Sequence, residues 1–298
     1  MRIALSALAT ALAAASAPAP ADTAGATPGF AARLAQMPGI SGPEGWHGDA
    51  RWQSLARAPA SERQAARWNH ALARIGGGRA AEAIGALDVM LADDADLALV
   101  PAFQLARGAA MTGERRWAEA LVALSSPGLA ANAEACAWRI VAADGAGLSR
   151  QALAAVPCAL GAINRRDTPG RRPFVLAASH AAIESGQPRI ALQWLALLPD
   201  RDSGANLLRG RAEQASGAAQ EARLRLQRVL VNGTPEQRAD ARLSLIEANV
   251  ANNAVAVPVA LRQVTALRYR WRGGPVEARA LHFALLLGQR SGNTPAIL

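Results

Sequence analysis

Four histidines, two cysteines and a scatter of carboxylates are the residues of this chain that could move protons, hold a metal or attack a substrate. The histidines, His47, His70, His180 and His282, lie far apart, and neither His-x3-His nor Cys-x2-Cys spacing occurs, so no metal site is expected. His47 with Asp49 in Trp46-His-Gly-Asp49 is the most reactive-looking local cluster, and it reads as a turn ahead of the first helical repeat. Gly76-Gly77-Gly78 has the composition of a phosphate-cradling loop, but no Lys-Ser/Thr follows it and it sits between two helical stretches, so it reads as a helix turn. A carboxylate pair about 5 to 10 Å apart in a cleft could cleave a glycoside. Sugar clefts usually present aromatic platforms, however, and here one Tyr and seven Trp serve the whole chain. Of these, Trp68, Trp117, Trp138 and Trp194 fall at helical positions suited to a core. No catalytic residue and no cofactor is expected.

The elements that would position any site are helical. The 298 residues are 51% hydrophobic but only 4% aromatic, with Ala the commonest residue, a composition that excludes disorder and disfavours sheets. Apolar residues recur at helical spacing from about residue 59 to the end, and the interruptions are regular. Gly78 is followed five residues later by Ala83, Gly113 by Ala118, Gly147 by Ala152, Gly186 by Ala191 and Gly217 by Ala222; the glycines stand 35, 34, 39 and 31 residues apart. Such a period marks stacked helix pairs: the Gly closes the first helix in a left-handed conformation, and the Ala lets the second helix approach closely. The pairs read as residues 61–92, 97–126, 131–160, 172–198, 203–230 and 234–267, with an incomplete seventh from Pro275. Ser61 with Gln64, and Thr234 with Gln237 behind Pro235, are expected capping boxes, and Asn252-Asn253 replaces the glycine in the sixth pair.

This pattern resembles the tetratricopeptide repeat family, whose units carry Gly in the turn and a small residue five positions later. Gly210, Gly217 and Ala222 give one of the better matches, while most of the family's large aromatics and closing prolines are replaced. Leu267-Arg-Tyr-Arg-Trp-Arg-Gly-Gly274 is also similar to a segment of uncharacterised exported alphaproteobacterial repeat proteins. The resemblance covers roughly Ser61 to the C-terminus and implies a right-handed α-solenoid of six to seven helix pairs, an all-α fold.

Cys136 and Cys158 fall on the two helices of the third pair, about equally far from its turn. Antiparallel packing would bring them level, so a disulfide and a pair of buried thiols both remain open. Two basic clusters stand out. Arg165, Arg166, Arg171 and Arg172 occupy a stretch between pairs three and four that reads as a rim loop; Arg268, Arg270, Trp271 and Arg272 interleave guanidinium groups with an aromatic ring. The first could contact a partner and the second could bind carboxylates, phosphates or extended peptides; alternatively the arginines are solvated or stacked on the chain's own surface, with Trp271 packed beneath the last pair. All 32 basic residues are Arg, which suggests a coding bias behind part of the net charge of +9 and weakens the case for a nucleic-acid partner.

Met1-Arg2, an apolar run to Ala15 and Ala19-Pro20-Ala21 describe a signal peptide over residues 1–21, with cleavage expected after Ala21. Residues 22–58 read as a linker and N-terminal segment, and 59–298 as the repeat domain, with no transmembrane segment after cleavage. The expected location is periplasmic or secreted. The last helix, with Leu281, Phe283, Leu285, Leu286 and Leu287, is apolar nearly all round, which suggests self-association through residues 275–298. The expected function is a non-catalytic scaffold binding an extended peptide or helix of a cell-envelope protein. The competing expectation is an enzyme, or its accessory domain, that holds an anionic cell-wall polymer.

Overall fold

A computed structural model describes residues 29–292; the signal-peptide reading of 1–21, the start of the linker and residues 293–298 lie outside them. Among the described residues the regular structure is entirely helical. An N-terminal segment holds α1 (Phe30–Gln36), a 3-10 turn at Pro43–Trp46 and α2 (Trp52–Arg57). Six antiparallel pairs follow: α3 (Arg63–Gly76) with α4 (Ala80–Asp93), α5 (Pro101–Gly113) with α6 (Trp117–Leu124), α7 (Ala133–Gly145) with α8 (Ser149–Asn164), α9 (Thr168–Glu184) with α10 (Pro188–Leu195), α11 (Ser203–Ala215) with α12 (Ala219–Asn232), and α13 (Pro235–Ala251) with α14 (Val257–Arg270). The final helix is α15 (Gly274–Ser291). None of these helices is long and apolar enough to cross a membrane.

The turns set the register. In each pair the chain reverses through a residue with positive φ: Gly78, Arg115, Gly147, Gly186, Gly217 and Asn253. Each turn makes the same two backbone hydrogen bonds, as when Arg79 N donates to Arg74 O and Gly78 N to Ile75 O, which closes the last carbonyls of the first helix. The second pair corrects the sequence reading: Arg115, not Gly113, takes the left-handed position, and Gly113 ends α5 where a Cβ would lie 2.6 Å from Ala80 Cβ. The register therefore moves two residues on, and the buried alanine five positions later is Ala120, while Ala118 is exposed. In this frame Ala83, Ala120, Ala152, Ala191 and Ala222 are all buried at one position.

A second layer of the pattern follows from the same frame. Ala71, Gly108, Ser179 and Gly210 on first helices are small and buried, and Leu87, Leu124, Leu195 and Leu226 are their counterparts on second helices. The third and sixth pairs depart from this pattern, with Ile140 and Val156 in the one and Ile246 and Arg262 in the other. A Cβ at Gly108 would lie 2.5 Å from Leu124 Cγ, whereas one at Gly85 in α4 meets nothing within 4 Å. Gly85→Ala is thus expected to stabilise by roughly 0.5–1 kcal/mol through helix preference alone. Gly108→Ala gains the same preference but loses about 1–3 kcal/mol to overpacking. The difference between their urea midpoints isolates the clash, and equal midpoints would show that Leu124 moves aside freely.

Capping differs between the two expected boxes. Thr234 Oγ1 accepts from Gln237 N and the Gln237 side chain accepts from Thr234 N, as the sequence indicates. At the first pair the box does not form: a turn closed by Glu62 N on Pro59 O removes Ser61 from the cap position, α3 begins at Arg63, and Gln64 Nε2 instead donates to Met90 O at the end of α4.

Consecutive first helices pack on one another along the whole stack, from α3 on α5 to α13 on α15, whereas consecutive second helices make no contact of comparable extent. A two-layer stack bends toward its closer-spaced layer, so the first helices form the inner face. The core runs lengthwise between the layers as successive apolar clusters, as expected for units that bury their sides against the next in line. Cys136 on α7 and Cys158 on α8 are joined in a disulfide with Cα atoms 5.8 Å apart.

Candidate functional site

The inner face has two halves of different chemistry. The first is apolar and already covered. Residues 29–58 lie on it: α1 packs on α5, the 3-10 turn on α3, and Phe30, Leu34, Ile40 and Trp46 join the core of the first pairs. Their polar anchors are specific. Ala31 N donates to Asp94 Oδ2 at 3.0 Å, Arg165 Nη1 to Ser41 Oγ at 2.9 Å, and Arg74 Nη2 to Ala50 O at 2.9 Å.

The central anchor is Glu134 at the start of α7, only 2% exposed. Its carboxylate accepts from Trp46 Nε1 at 2.7 Å and from Gly42 N at 3.2 Å, and it forms an ion pair with Arg166, itself 5% exposed. Arg166 also donates to Ala162 O at 2.7 Å and places its guanidinium 4.7 Å from the Phe174 ring centroid. Trp138 stands edge-on to both Trp46 and Phe174, with centroids 5.7 and 5.3 Å away. One carboxylate thus satisfies three donors from segments far apart in the chain.

This placement changes how the first basic cluster reads. The expected rim loop is short: Asp167 caps α9 by accepting from Gly170 N at 2.9 Å, and Arg171 and Arg172 lie in the first turns of that helix. Arg165 reaches Ser41, Arg166 is internal, Arg171 Nε donates to Arg166 O at 3.1 Å, and Arg172 pairs with Asp202 at 2.6 Å. Burial works against the Asp202 carboxylate, but Arg172 and the α11 backbone outweigh it and hold its pKa below the ordinary value. All four arginines therefore spend donors on the chain itself.

In the second cluster Trp271 ends α14, half-buried against the core of the last helices. Arg272 lies 5.7 Å from the exposed Tyr269 ring, Arg268 is half-buried, and Arg270 lines a 350 Å³ cavity with Arg242, Asn249 and Gln263. The two basic clusters share no hydrogen bond or ion pair among the described residues.

The second half of the inner face, over α9, α11, α13 and α15, is polar, and the sequence reading missed it. Asp144 Oδ1 meets His180 Nδ1 at 2.7 Å; Glu184 lies 3.7 Å from His180 Nε2 and accepts from Arg211 at 2.6 Å. Arg279 on α15 donates to Asp240 at 2.6 Å, Glu247 at 3.1 Å and Ser244 Oγ at 2.8 Å. Burial opposes the Arg279 charge, but those two carboxylates more than offset it and raise its pKa, while burial pushes the Glu247 carboxyl up against the pull of Arg279. A 340 Å³ cavity opens here, and its walls include Ser149, His180, Arg211, Asp240 and Arg279. Ser149 follows the third turn and Arg279 belongs to the last helix, so the stack curls far enough to bring them to one cavity. His180, Arg211 and Glu247 occupy the same register position on successive first helices, the one signal from which this ladder was readable in advance. Among the described residues no group of His, Cys, Asp and Glu is suited to a metal ion.

His70, beside the Arg74 anchor, gives a test of pH dependence. Burial, reinforced by the Arg74 charge, holds its pKa below the ordinary histidine value. The unfolded chain takes up that proton at higher pH than the folded one, so the stability is present above about pH 6.5 and is lost as pH falls toward the folded value. Between about pH 7 and 5 the urea midpoint should fall for the native chain and fall less for His70→Gln. Parallel curves would remove His70 as the cause.

In comparison with known proteins, no family model, no curated protein and no solved structure matches the chain. Its fold and inner face define the class: an all-helical, solenoid-like repeat protein.

Proposed function

We propose that this chain is an exported, non-catalytic scaffold of tetratricopeptide type that binds an extended peptide of a cell-envelope partner on the polar half of its inner face. The observation that carries the reading is the chain's own N-terminal segment. Residues 29–58 are held against the stack by bonds to their backbone: Glu134 on the inner face and Asp94 at the end of α4 accept from N–H groups, and Arg74 donates to a carbonyl. The half over α9 to α15 offers further carboxylates and guanidinium groups, which suit the amides and termini of a peptide. The carboxylates there are each held by a cation or imidazole of a neighbouring helix, which supports a positioning role for them over acid–base work. Export rests on residues 1–21, and an oxidising envelope suits the Cys136–Cys158 bridge.

A photo-crosslinking residue at Ser149, inside the cavity, is expected to give discrete protein adducts in an envelope fraction, and one at Val122 on the exposed surface of α6 is not. Equal adducts at both positions would overturn the reading. Exposed Leu281, Leu285 and Leu286 on α15 support self-association at that end. A monomer by light scattering at tens of micromolar would remove that part. Arg242 and Arg270, neither paired with a carboxylate among the described residues, favour the second reading, an accessory domain holding an anionic polymer, whose test is salt-dependent binding lost in Arg242→Ala/Arg270→Ala.

A further inference from the structure

The opposite end of the stack carries a cleft that the peptide reading does not use. On α3, Arg63, Arg67, His70 and Arg74 share one helical face, and on α4 Glu82, Gly85, Ala86 and Val89 do the same. Between later pairs, such flanks are covered by a neighbouring helix pair. Here the cover is the six-residue α2, which lays Trp52 and Leu55 over the gap without filling it. A 640 Å³ cavity remains, within the range of small-ligand sites of roughly 300–1,000 Å³.

Two features of its wall point to a ligand. Trp52 is 66% exposed and Val89 47%, so apolar surface converges on the cavity and is left in water. Gly85 forms part of the floor, and no neighbour approaches its Cβ position within 4 Å. Its helix-weakening cost of about 1 kcal/mol relative to Ala is therefore not repaid by close packing, and the missing side chain leaves space in the floor.

Charge selects among ligands. Arg67 pairs with Asp93, and Arg74 lies 3.0 Å from Glu82, but Arg63 at the start of α3 pairs with no carboxylate among the described residues. Two of the three guanidinium groups on the walls are thus paired with carboxylates, and Arg63 is the one left without.

We propose that this cleft binds a small amphipathic anion, a medium-chain carboxylate, with its alkyl body against Trp52, Leu55, Ala86 and Val89 and its carboxylate on Arg63. Decanoate, decylammonium and decanol, each kept monomeric, titrated calorimetrically into the full chain test body and charge separately. Decanoate should bind at one saturable site, at least tenfold more tightly than decylammonium or decanol. Arg63→Ala should weaken it about fivefold, and Gly85→Leu, which fills the floor, should abolish it without lowering the melting temperature. Val89→Glu, at an exposed position, supplies a second block that does not depend on Gly85→Leu folding. Absence of saturable decanoate binding, equal binding of decylammonium, or wild-type affinity in Val89→Glu would each overturn the proposal.

Discussion

Glu134→Ala is expected to cost about 3–5 kcal/mol and to free residues 29–58 from the inner face. The size follows from what the carboxylate leaves behind. Arg166 would remain a buried charge without its counter-ion, and Trp46 Nε1–H and Gly42 N–H would lose their acceptor. Against a total stability of roughly 5–15 kcal/mol, that is a large part of what holds the chain folded. The double change Glu134→Met/Arg166→Met separates the terms. It removes the charge pair together, which is often close to neutral, and leaves only the two orphaned N–H groups, a cost common to both variants. The double variant should therefore recover part of the loss, and the remainder reports what the N-terminal segment contributes. Urea midpoints give the energies, and limited proteolysis within 29–58 gives the release. A Glu134→Ala chain that melts and resists cleavage like the native one would show that the socket does not hold the segment.

In the sequence Arg166 is one of four clustered arginines in an Arg-rich chain, and no motif marks Glu134. The contact that decides their role joins residues 46, 134 and 166, which no periodicity links. The usable signal was Trp46 itself: a large apolar ring in an irregular Gly- and Pro-rich stretch must be buried by something distant. The repeat, by contrast, was legible because its cause is local. A left-handed turn recurs at each pair, followed five residues later by a buried alanine in the first five, and Asn253 takes the glycine's place in the sixth as its tolerance of that conformation predicts. The reading slipped only where Arg115 adopts the left-handed turn without a glycine, so that Gly113, two residues earlier, drew the register to itself. Ser61 failed as a cap because the turn after Pro59 places the chain differently, a geometry that the Ser-x-x-Gln pattern does not encode.

The Cys136–Cys158 bridge couples these two levels. It closes a loop with a sequence separation of 22, for which chain entropy gives about 3 kcal/mol. Cys136→Ala/Cys158→Ala, or reduction of the native chain, is expected to lower stability by about that amount. The effect should reach beyond the third pair, because α7 carries Cys136 one turn or less from both Glu134 and Trp138, which grip the N-terminal segment. Loosening α7 against α8 therefore weakens the seat of Trp46, and reduction should speed proteolysis within 29–58 as well as lower the melting temperature. Arg139 sharpens the test: its Nη2 lies 2.9 Å from Cys136 Sγ, where its charge stabilises the negative charge that develops on that sulfur as a dithiol opens the bridge. Arg139→Ala should then slow reduction of the bridge by a dithiol while leaving the oxidised fold in place. If the reduced and oxidised chains are cleaved at the same rate, the bridge staples one helix pair and nothing more. If cleavage of 29–58 tracks reduction, the state of the bridge sets how firmly the chain covers the apolar half of its own inner face.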